Sequence, residues 1–190
     1  MFSVIFPGQG SQMVGMGKEF YDKFDLVKNL FKEAYESLNF SLSKLVLEGP
    51  KEELDLTANT QPAIFLISYS IYNVIKKEFN TDLNKAKYFA GHSLGEYSAL
   101  SSAGYLNFSE TIKLLRIRGN AMQNAVPVGD GAMAAILGLD FLKVLEIAKE
   151  AAVEGICDVA NDNDPSQSVV SGDREAVDRA IKISKDYGAK

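Results

Sequence analysis

Hydrophobic and polar residues follow one another along the chain in a pattern that predicts both strands and helices. The apolar run at residues 2–6 ends at Pro7 and is typical of a buried strand. Residues 87–90 predict a second short strand of the same kind. Between the two strands, apolar residues recur at three- and four-residue steps, which indicates an amphipathic helix. The residues of this apolar stripe are Phe20, Phe24, Val27, Leu30, Phe31 and Ala34.

Three further helices are predicted in the first two thirds of the chain. The segment 59–62 has the features of a helix start, because proline is tolerated in the first helical turn. The residues that follow, to about Lys77, are apolar on nearly every side, so we expect a central, buried helix. A helix of small residues is predicted to end near Gly104. Ser109 is predicted to cap a helix that runs to about Ala125.

A turn-rich break at residues 126–131 separates two styles of sequence. The order of elements after the break is β-α-β-β-α, which is one strand short of a split βαβ unit. We therefore predict two domains, residues 1–127 and residues 128–190. The elements predicted after the break are strands at 132–137, 156–160 and 168–171, a loop at 161–166, and helices at 140–153 and 173–187.

Composition and charge exclude several classes of function. The 190 residues carry 25 acidic and 20 basic side chains, a net charge of −5, and this balance argues against a protein that mainly grips nucleic acid. One cysteine and one histidine exclude an internal disulfide and any metal site built from several thiols or imidazoles. No apolar run reaches the roughly 18 residues of a membrane span, and no secretory signal is present. We therefore expect a cytoplasmic protein with no membrane partner.

The strongest chemical signal is the pattern Gly-x-Ser-x-Gly at residues 91–95, between a predicted strand and a predicted helix. In that setting the pattern predicts a nucleophile elbow, in which the serine is exposed at the helix N-terminus. Ser93 is the candidate nucleophile, and the main-chain N–H of Leu94 is a candidate donor to an oxyanion. A general base is expected from elsewhere in the fold, because His92 adjoins the serine at a sharp turn. The alternative is a glycine-flanked serine in an ordinary turn.

A glycine-rich turn at residues 8–12 precedes the first helix. It does not match a phosphate-binding loop, because Met16 occupies the position of the lysine. It does not match a dinucleotide-binding turn either, since Met13 stands where the third glycine should be. Gln12 can instead aim a side-chain or main-chain donor at the elbow, which would supply the second oxyanion donor. A purely structural turn is the alternative.

Arg118 is the most informative charged residue, because the helical spacing places it on an apolar face and places Arg116 on the opposite, solvated side. An unpaired guanidinium is costly to bury, so Arg118 requires an anionic partner. That partner is either an internal carboxylate or the carboxylate of a substrate held by the guanidinium fork. The pattern leaves both open. The residues predicted on the same face are Thr111, Leu114, Leu115, Ala121, Met122 and Ala125.

Several motifs together resemble the signature of malonyl-CoA:acyl carrier protein transacylases. They occur in the family's order and cover essentially the whole chain. The resemblance implies an α/β fold, with an α/β-hydrolase-like core and an inserted ferredoxin-like subdomain, both truncated at the C-terminus. The motifs are Phe6 to Gln12, Gln61 to Ala63, Gly91 to Tyr97, Arg118-Gly119 with Met122-Gln123, and Val159 to Asn161 with Asn163, Pro165 and Gln167.

The resemblance also implies a role for each candidate residue. Ser93 would carry the acyl group as an ester, and Gln12 and the Leu94 N–H would form the oxyanion hole. Arg118 would bind the free carboxylate of a malonyl group. No metal and no cofactor is implied, and the coenzyme A thioester would be the substrate. The residues that would line the acyl pocket are Gln61 and Met122.

The implied reaction moves a malonyl group from malonyl-CoA to the phosphopantetheine thiol of acyl carrier protein, in fatty acid biosynthesis. The family's catalytic histidine follows the position of Lys190, so we expect an N-terminal fragment with little or no activity by itself. A serine hydrolase of the esterase or lipase type is one alternative. A non-catalytic fragment that binds carrier protein is another.

Overall fold

The computed structural model describes residues 1–79, 81–127 and 129–190, which form two compact units. The first unit spans Met1–Ala125 and the second spans Val126–Lys190. The predicted boundary lies two residues further along the chain, and residue 128 beside it falls outside the described residues. Strands and helices occur in both units, so the predicted α/β class is confirmed. Within the described ranges, no helix has the length and apolar character needed to cross a membrane.

The first unit combines a small parallel sheet with helices. Its elements are β1 Ser3–Phe6, α1 Lys18–Lys23, α2 Asp25–Leu38, α3 Leu42–Glu48, α4 Lys51–Leu54, α5 Thr57–Glu78, a 3₁₀ turn Leu83–Lys85, β2 Tyr88–Gly91, α6 Gly95–Ser102 and α7 Phe108–Asn124. The two strands lie within about one residue of their predicted positions. They pair in parallel, with Phe6 opposite Gly91. Their carboxyl ends therefore meet at one edge of the sheet, the position from which α/β folds present functional groups.

The apolar stripe from Phe20 to Ala34 predicts helix through Phe24, but the structure has two helices there, α1 and α2. Phe24 lies between them with an extended backbone, at φ −120° and ψ 119°. The stripe does not reveal this break, because α2 still buries the expected residues on one face. The buried residues of α2 are Val27, Leu30, Phe31 and Ala34.

Helix α5 is buried along residues 58–67, as predicted for a central helix. It begins at Thr57, earlier than the predicted start, so Pro62 lies inside the helix and not in its first turn. Proline has no N–H to donate to the carbonyl one turn earlier, that of Ala58. Arg116 of α7 donates to this carbonyl instead, with an Nη1···O distance of 2.9 Å.

The prediction that Arg116 is solvated on the outer face of its helix is therefore wrong. Its side chain is half-buried, donates to Asn59 Oδ1 as well as to Ala58, and lies 4.7 Å from the centre of the Phe40 ring. Burial lowers the pKa of its guanidinium from the ordinary value. Helical spacing alone did not reveal this role, because it depends on an unpaired carbonyl that another helix presents.

Replacing Arg116 with alanine should lower the free energy of unfolding by about 1–3 kcal/mol, because the Ala58 carbonyl loses its donor. Pro62→Ala restores an N–H that supplies the same carbonyl from within α5. We therefore expect a smaller loss from Arg116→Ala in a Pro62→Ala background, measured by denaturant unfolding of the four proteins. Equal losses in both backgrounds would contradict the capping role.

Helix α7 begins one residue before Ser109, and the predicted cap is wrong. Asn107 is the N-cap, since its side-chain oxygen accepts from the N–H of Glu110 at 2.8 Å. The Ser109 hydroxyl donates to Glu33 Oε1 at 2.6 Å. The predicted apolar face is also only partly buried. Its buried members are Thr111 and Leu115, whereas Leu114, Ala121, Met122 and Ala125 are exposed.

The second unit has the predicted order β-α-β-β-α. Its elements are β3 Gly131–Leu137, α8 Phe141–Ala151, β4 Cys157–Asp164, β5 Gln167–Asp173 and α9 Arg174–Asp186. The sheet is antiparallel in the order β3-β5-β4. Its core is formed by apolar residues of the two helices and of the sheet, among them Val144 of α8, Val170 of β5 and Val177 of α9.

Strand β4 is longer than predicted, because residues 161–164 continue the strand where a loop was expected. Its pairing with β5 shifts register between Val159 and Asn161 and again before Asp164. Such irregularities disturb the alternation that marks a strand in a sequence. At the other edge of the sheet, Leu137 of β3 pairs with Lys190 through two main-chain hydrogen bonds of 2.9 and 3.0 Å.

Candidate active site

The turn at residues 91–95 has the shape of a nucleophile elbow. Ser93 lies between β2 and α6 with a left-handed backbone, φ 53°, which is uncommon for a residue other than glycine. The His92 N–H donates to the Phe6 carbonyl at 3.3 Å, and the Gly95 N–H donates to the His92 carbonyl at 2.9 Å. These bonds fix the turn to the carboxyl end of the sheet. Strained residues of this kind concentrate at functional sites.

Gly91 and Gly95 are required because backbone atoms occupy the space of a side chain. A Cβ on Gly91 would lie 2.0 Å from the carbonyl carbon of Gly95, and a Cβ on Gly95 would lie 2.6 Å from the Phe6 oxygen. Strand, turn and helix can approach this closely only without side chains at both positions. The spacing of the glycines in the sequence is thereby explained.

Gly91→Ala should destabilise the protein by about 3 kcal/mol or more, because the clash is with main-chain atoms that cannot move aside. Gly104→Ala is the matched control. Gly104 has φ 87°, but a Cβ at this position would meet no other atom within 4 Å, so its substitution costs only the left-handed backbone, about 1–2 kcal/mol. Urea unfolding of both variants measures the difference. Equal stability of the two variants would contradict the close approach at the elbow.

Arg118 connects the elbow to α5. Its Nη2 donates to Ser93 Oγ at 3.1 Å, and its Nη1 donates to Gln61 Oε1 at 2.6 Å. The guanidinium also lies 5.7 Å from the centre of the Tyr97 ring, a favourable cation–π distance. The side chain is half-buried, not buried as predicted. In the part of the chain that the structure describes, no carboxylate forms an ion pair with it, so the internal-carboxylate alternative has no support.

Gln61 and Met122 lie beside Arg118. Gln61 is fully buried, and both polar atoms of its carboxamide are used, since Nε2 donates to the Met122 sulfur at 3.2 Å. Met122 is 49% exposed. A buried carboxamide bonded on both sides holds the guanidinium in one orientation. The structure therefore brings together Ser93, Arg118, Gln61 and Met122.

The side chain of Gln12 is used within its own neighbourhood. Its Oε1 accepts from the Gly10 N–H at 2.8 Å, and its Nε2 donates to Asp55 Oδ1 at 2.9 Å. The side-chain alternative for the second oxyanion donor is therefore not supported. The main-chain N–H groups of Gln12 and Leu94 donate to no main-chain acceptor within the described ranges, and both stay predictions as oxyanion donors.

The glycine-rich loop packs directly against the elbow. A Cβ on Gly8 would lie 2.7 Å from Nδ1 and 2.9 Å from the carbonyl oxygen of His92. The loop that carries Gln12 thus starts in contact with the residue that precedes Ser93. Around this site and throughout residues 1–79, 81–127 and 129–190, no cluster of three His, Cys, Asp or Glu side chains is arranged for a metal ion.

A family model described as an acyl transferase domain matches residues 3–189. The chain belongs to this acyl transferase family. The acyl transferase chain is 46% identical over 189 residues to malonyl CoA-acyl carrier protein transacylase of Haemophilus influenzae, and 46% identical over 187 residues to that of Bacillus subtilis. The alignments cover 100% and 98% of this chain but 60% and 58% of the relatives. The chain therefore spans about three fifths of the length of these curated relatives.

Solved structures match the acyl transferase chain over its full length. The malonyl CoA-acyl carrier protein transacylase of Coxiella burnetii superposes with a TM-score of 0.93 at 44% identity, covering 100% of this chain and 59% of that one. A malonyl-transacylase solved in complex with its type II PKS acyl-carrier protein gives a TM-score of 0.90 at 44% identity, covering 100% and 60%. The resemblance stated from the motifs is confirmed.

Two contacts of this acyl transferase site were not predicted from the sequence. One is the contact of Tyr97 with Arg118. Tyr97 lies in the first turn of α6, directly after the elbow, and this closeness in sequence is a signal that could have placed its ring near Ser93. Asp55 offered no such signal, because its bond to Gln12 spans 43 residues. Only the folding of the chain brings residues 55–57 beside the glycine-rich loop.

Proposed function

We propose that this acyl transferase transfers a malonyl group from malonyl-CoA to the phosphopantetheine thiol of acyl carrier protein, in fatty acid biosynthesis. The observation that carries the proposal is the guanidinium of Arg118, which is hydrogen-bonded to Ser93 Oγ and has no carboxylate partner within the described ranges. A cation at this distance suits an acyl group that ends in a second carboxylate. An acyl pocket for apolar chains would gain nothing from it.

The proposed reaction has two half-reactions. Ser93 Oγ attacks the thioester carbonyl of malonyl-CoA, and the N–H groups of Leu94 and Gln12 stabilise the oxyanion. The serine proton passes to a general base and then to the departing thiolate of coenzyme A. The malonyl group stays on Ser93 as an ester, with its carboxylate on Arg118. The phosphopantetheine thiol then gives its proton to the base and attacks the ester carbonyl. The bond from that carbonyl to Ser93 Oγ breaks, the base returns the proton to Oγ, and the malonyl group leaves as the thioester of the carrier protein.

Residues other than the nucleophile have supporting roles in this proposal. Gln61 orients Arg118, which is supported by the hydrogen bond between their side chains. Met122 lines the acyl pocket, which is supported by the hydrogen bond from Gln61 to its sulfur. The general base is the histidine that the resemblance implies after the position of Lys190. No metal ion or redox cofactor takes part in either half-reaction as proposed.

The finer description of the fold is also a proposal. We assign residues 1–127 to an α/β-hydrolase-like core, which is supported by the parallel pairing of β1 with β2 and by the elbow at their carboxyl ends. We assign residues 128–190 to a ferredoxin-like subdomain, which is supported by the order β3-β5-β4. Lys190 pairs with Leu137 of β3, and a ferredoxin-like fold has its last strand at this edge of the sheet.

We also propose a cytoplasmic location, which fits the low cysteine content.

Incubation of the natural gene product with malonyl-CoA and holo acyl carrier protein tests the proposal. We expect intact-mass spectrometry to show malonyl-carrier protein as the main product. Release of free malonate without transfer would overturn the proposal in favour of a serine hydrolase. Binding of the carrier protein with neither product would instead favour a non-catalytic binding protein.

A further inference from the structure

Side-chain hydrogen bonds tie the glycine-rich loop to the segment that leads into α5. Gln12 Nε2 donates to Asp55 Oδ1 at 2.9 Å, and Gln9 Nε2 donates to Thr57 Oγ1 at 3.1 Å. The second oxygen of Asp55 accepts from the exposed ammonium group of Lys51. Both glutamines of the loop are thus held by residues 55–57, although nothing in the sequence pattern connects the two segments.

The Gln12 carboxamide is fixed at both of its ends. Its oxygen accepts from the Gly10 N–H at 2.8 Å, which closes the loop on itself, and its nitrogen is held by Asp55. With the side chain used in this way, the main-chain N–H is the group that Gln12 can offer to a reaction intermediate. Gly10 has φ 107°, a conformation that few other residues adopt, so the loop bends sharply where the carboxamide closes it.

The segment that contains Asp55 is itself held by α7. The Thr57 N–H donates to Gln123 Oε1 at 3.2 Å. A Cβ on Gly119 would lie 2.7 Å from the Cα of Ala58, so the backbones of α5 and α7 touch at this point. Because α7 also carries Arg118, the loop and the guanidinium at the serine are positioned by one framework.

We propose that Asp55 is a positioning residue for the oxyanion hole, whose carboxylate orients the Gln12 side chain and so directs the Gln12 main-chain N–H toward the oxyanion formed at Ser93. This inference rests on the proposed function and deepens it. Hydrogen bonds from Gln12 and then Lys51 hold the pKa of the Asp55 carboxyl below its ordinary value, so the acceptor is ionised at neutral pH. Lys51 bonds only the oxygen that faces away from Gln12.

Three variants of the natural gene product test the proposal. Asp55→Ala should lower kcat about tenfold with KM within about twofold, because oxyanion stabilisation acts in the transition state and complete loss of a donor costs about 10²–10³. Asp55→Asn keeps an oxygen acceptor for Gln12 and should stay within about threefold of the parent. Lys51→Ala is the matched control, since it leaves the Gln12 bond intact and should stay within about twofold.

Two outcomes of this comparison would overturn the proposal. One is a kcat of Asp55→Ala within about twofold of the parent. The other is an Asp55→Asn variant as slow as Asp55→Ala, which would show that the negative charge matters and not the hydrogen bond to Gln12.

Amide hydrogen exchange separates failure of this proposal from failure of the proposed function. Asp55→Ala should raise exchange in residues 8–12 about tenfold with exchange in α5 unchanged, and Asp55→Asn should resemble the parent. Unchanged exchange in the loop overturns the proposal whatever the activity, and faster exchange throughout α5 shows a general structural role instead. If the parent forms no malonyl ester, the proposed function and the oxyanion role both fail, and the exchange result still decides whether Asp55 holds the loop.

Discussion

Replacing Ser93 with alanine is expected to abolish malonyl transfer, with a fall in kcat of at least about 10³-fold. The elbow presents this hydroxyl in a left-handed turn at the end of the sheet, 3.1 Å from the Arg118 guanidinium. Alanine keeps the backbone and removes the atom that forms the ester, so only stabilisation by the surrounding donors remains. The rate of malonyl-carrier protein formation by the natural gene product measures the effect.

Ser109→Ala is the matched control for the loss of a hydroxyl group. Ser109 lies in the first turn of α7, and its hydroxyl donates to Glu33 of α2. We expect malonyl transfer by Ser109→Ala within about twofold of the parent. A Ser93→Ala variant that keeps more than about a tenth of the parent rate would show that another group carries the acyl chain.

Arg118→Ala should produce the second large effect, a loss of selectivity for malonyl-CoA. We expect kcat/KM for malonyl-CoA to fall about 100-fold, roughly 3 kcal/mol, because a desolvated carboxylate loses its cation. Acetyl-CoA has no second carboxylate, so its kcat/KM should change by no more than about threefold. The ratio of the two constants therefore reports on the carboxylate contact alone.

Arg116→Ala controls for removal of a positive charge from the same helix. Arg116 bonds the α5 backbone and not the serine, so its loss should reduce stability and leave the selectivity ratio unchanged. Both variants are compared at a temperature where each is folded. Equal losses for both thioesters in Arg118→Ala would contradict the assignment of the malonyl carboxylate to this residue.

The local parts of the site could be predicted from the sequence because local geometry determines them. The elbow depends on a strand end, a left-handed residue and two glycines, all of which stand within residues 91–95, although the atoms that crowd Gly95 belong to Phe6 and Pro7. Helical spacing placed Arg118 on the same face as Thr111 and Leu115, which are buried, although the other residues predicted on that face are exposed. Its contact with Ser93 depends on how α6 and α7 pack, and no spacing along the chain specifies that contact.

The parts that the sequence did not predict depend on contacts between distant segments. From the sequence, Pro62 is a reasonable helix start. In the structure Arg116 supplies the donor that proline lacks, and α5 begins at Thr57. Gln12 is likewise a reasonable side-chain donor to the oxyanion from the sequence, but in the structure its carboxamide nitrogen donates to Asp55. In each case the sequence identified the residue, and a partner more than 40 positions away determined what it does.

Formation of a malonyl ester on Ser93 is the most direct test of the proposed function. The natural gene product is mixed with malonyl-CoA in the absence of any acceptor thiol, quenched with acid, digested and mapped by mass spectrometry. We expect one malonyl group per chain, on the peptide that contains Ser93, and none in the Ser93→Ala variant. A protein that acquires no malonyl group, or one whose malonyl group persists in Ser93→Ala, would contradict it.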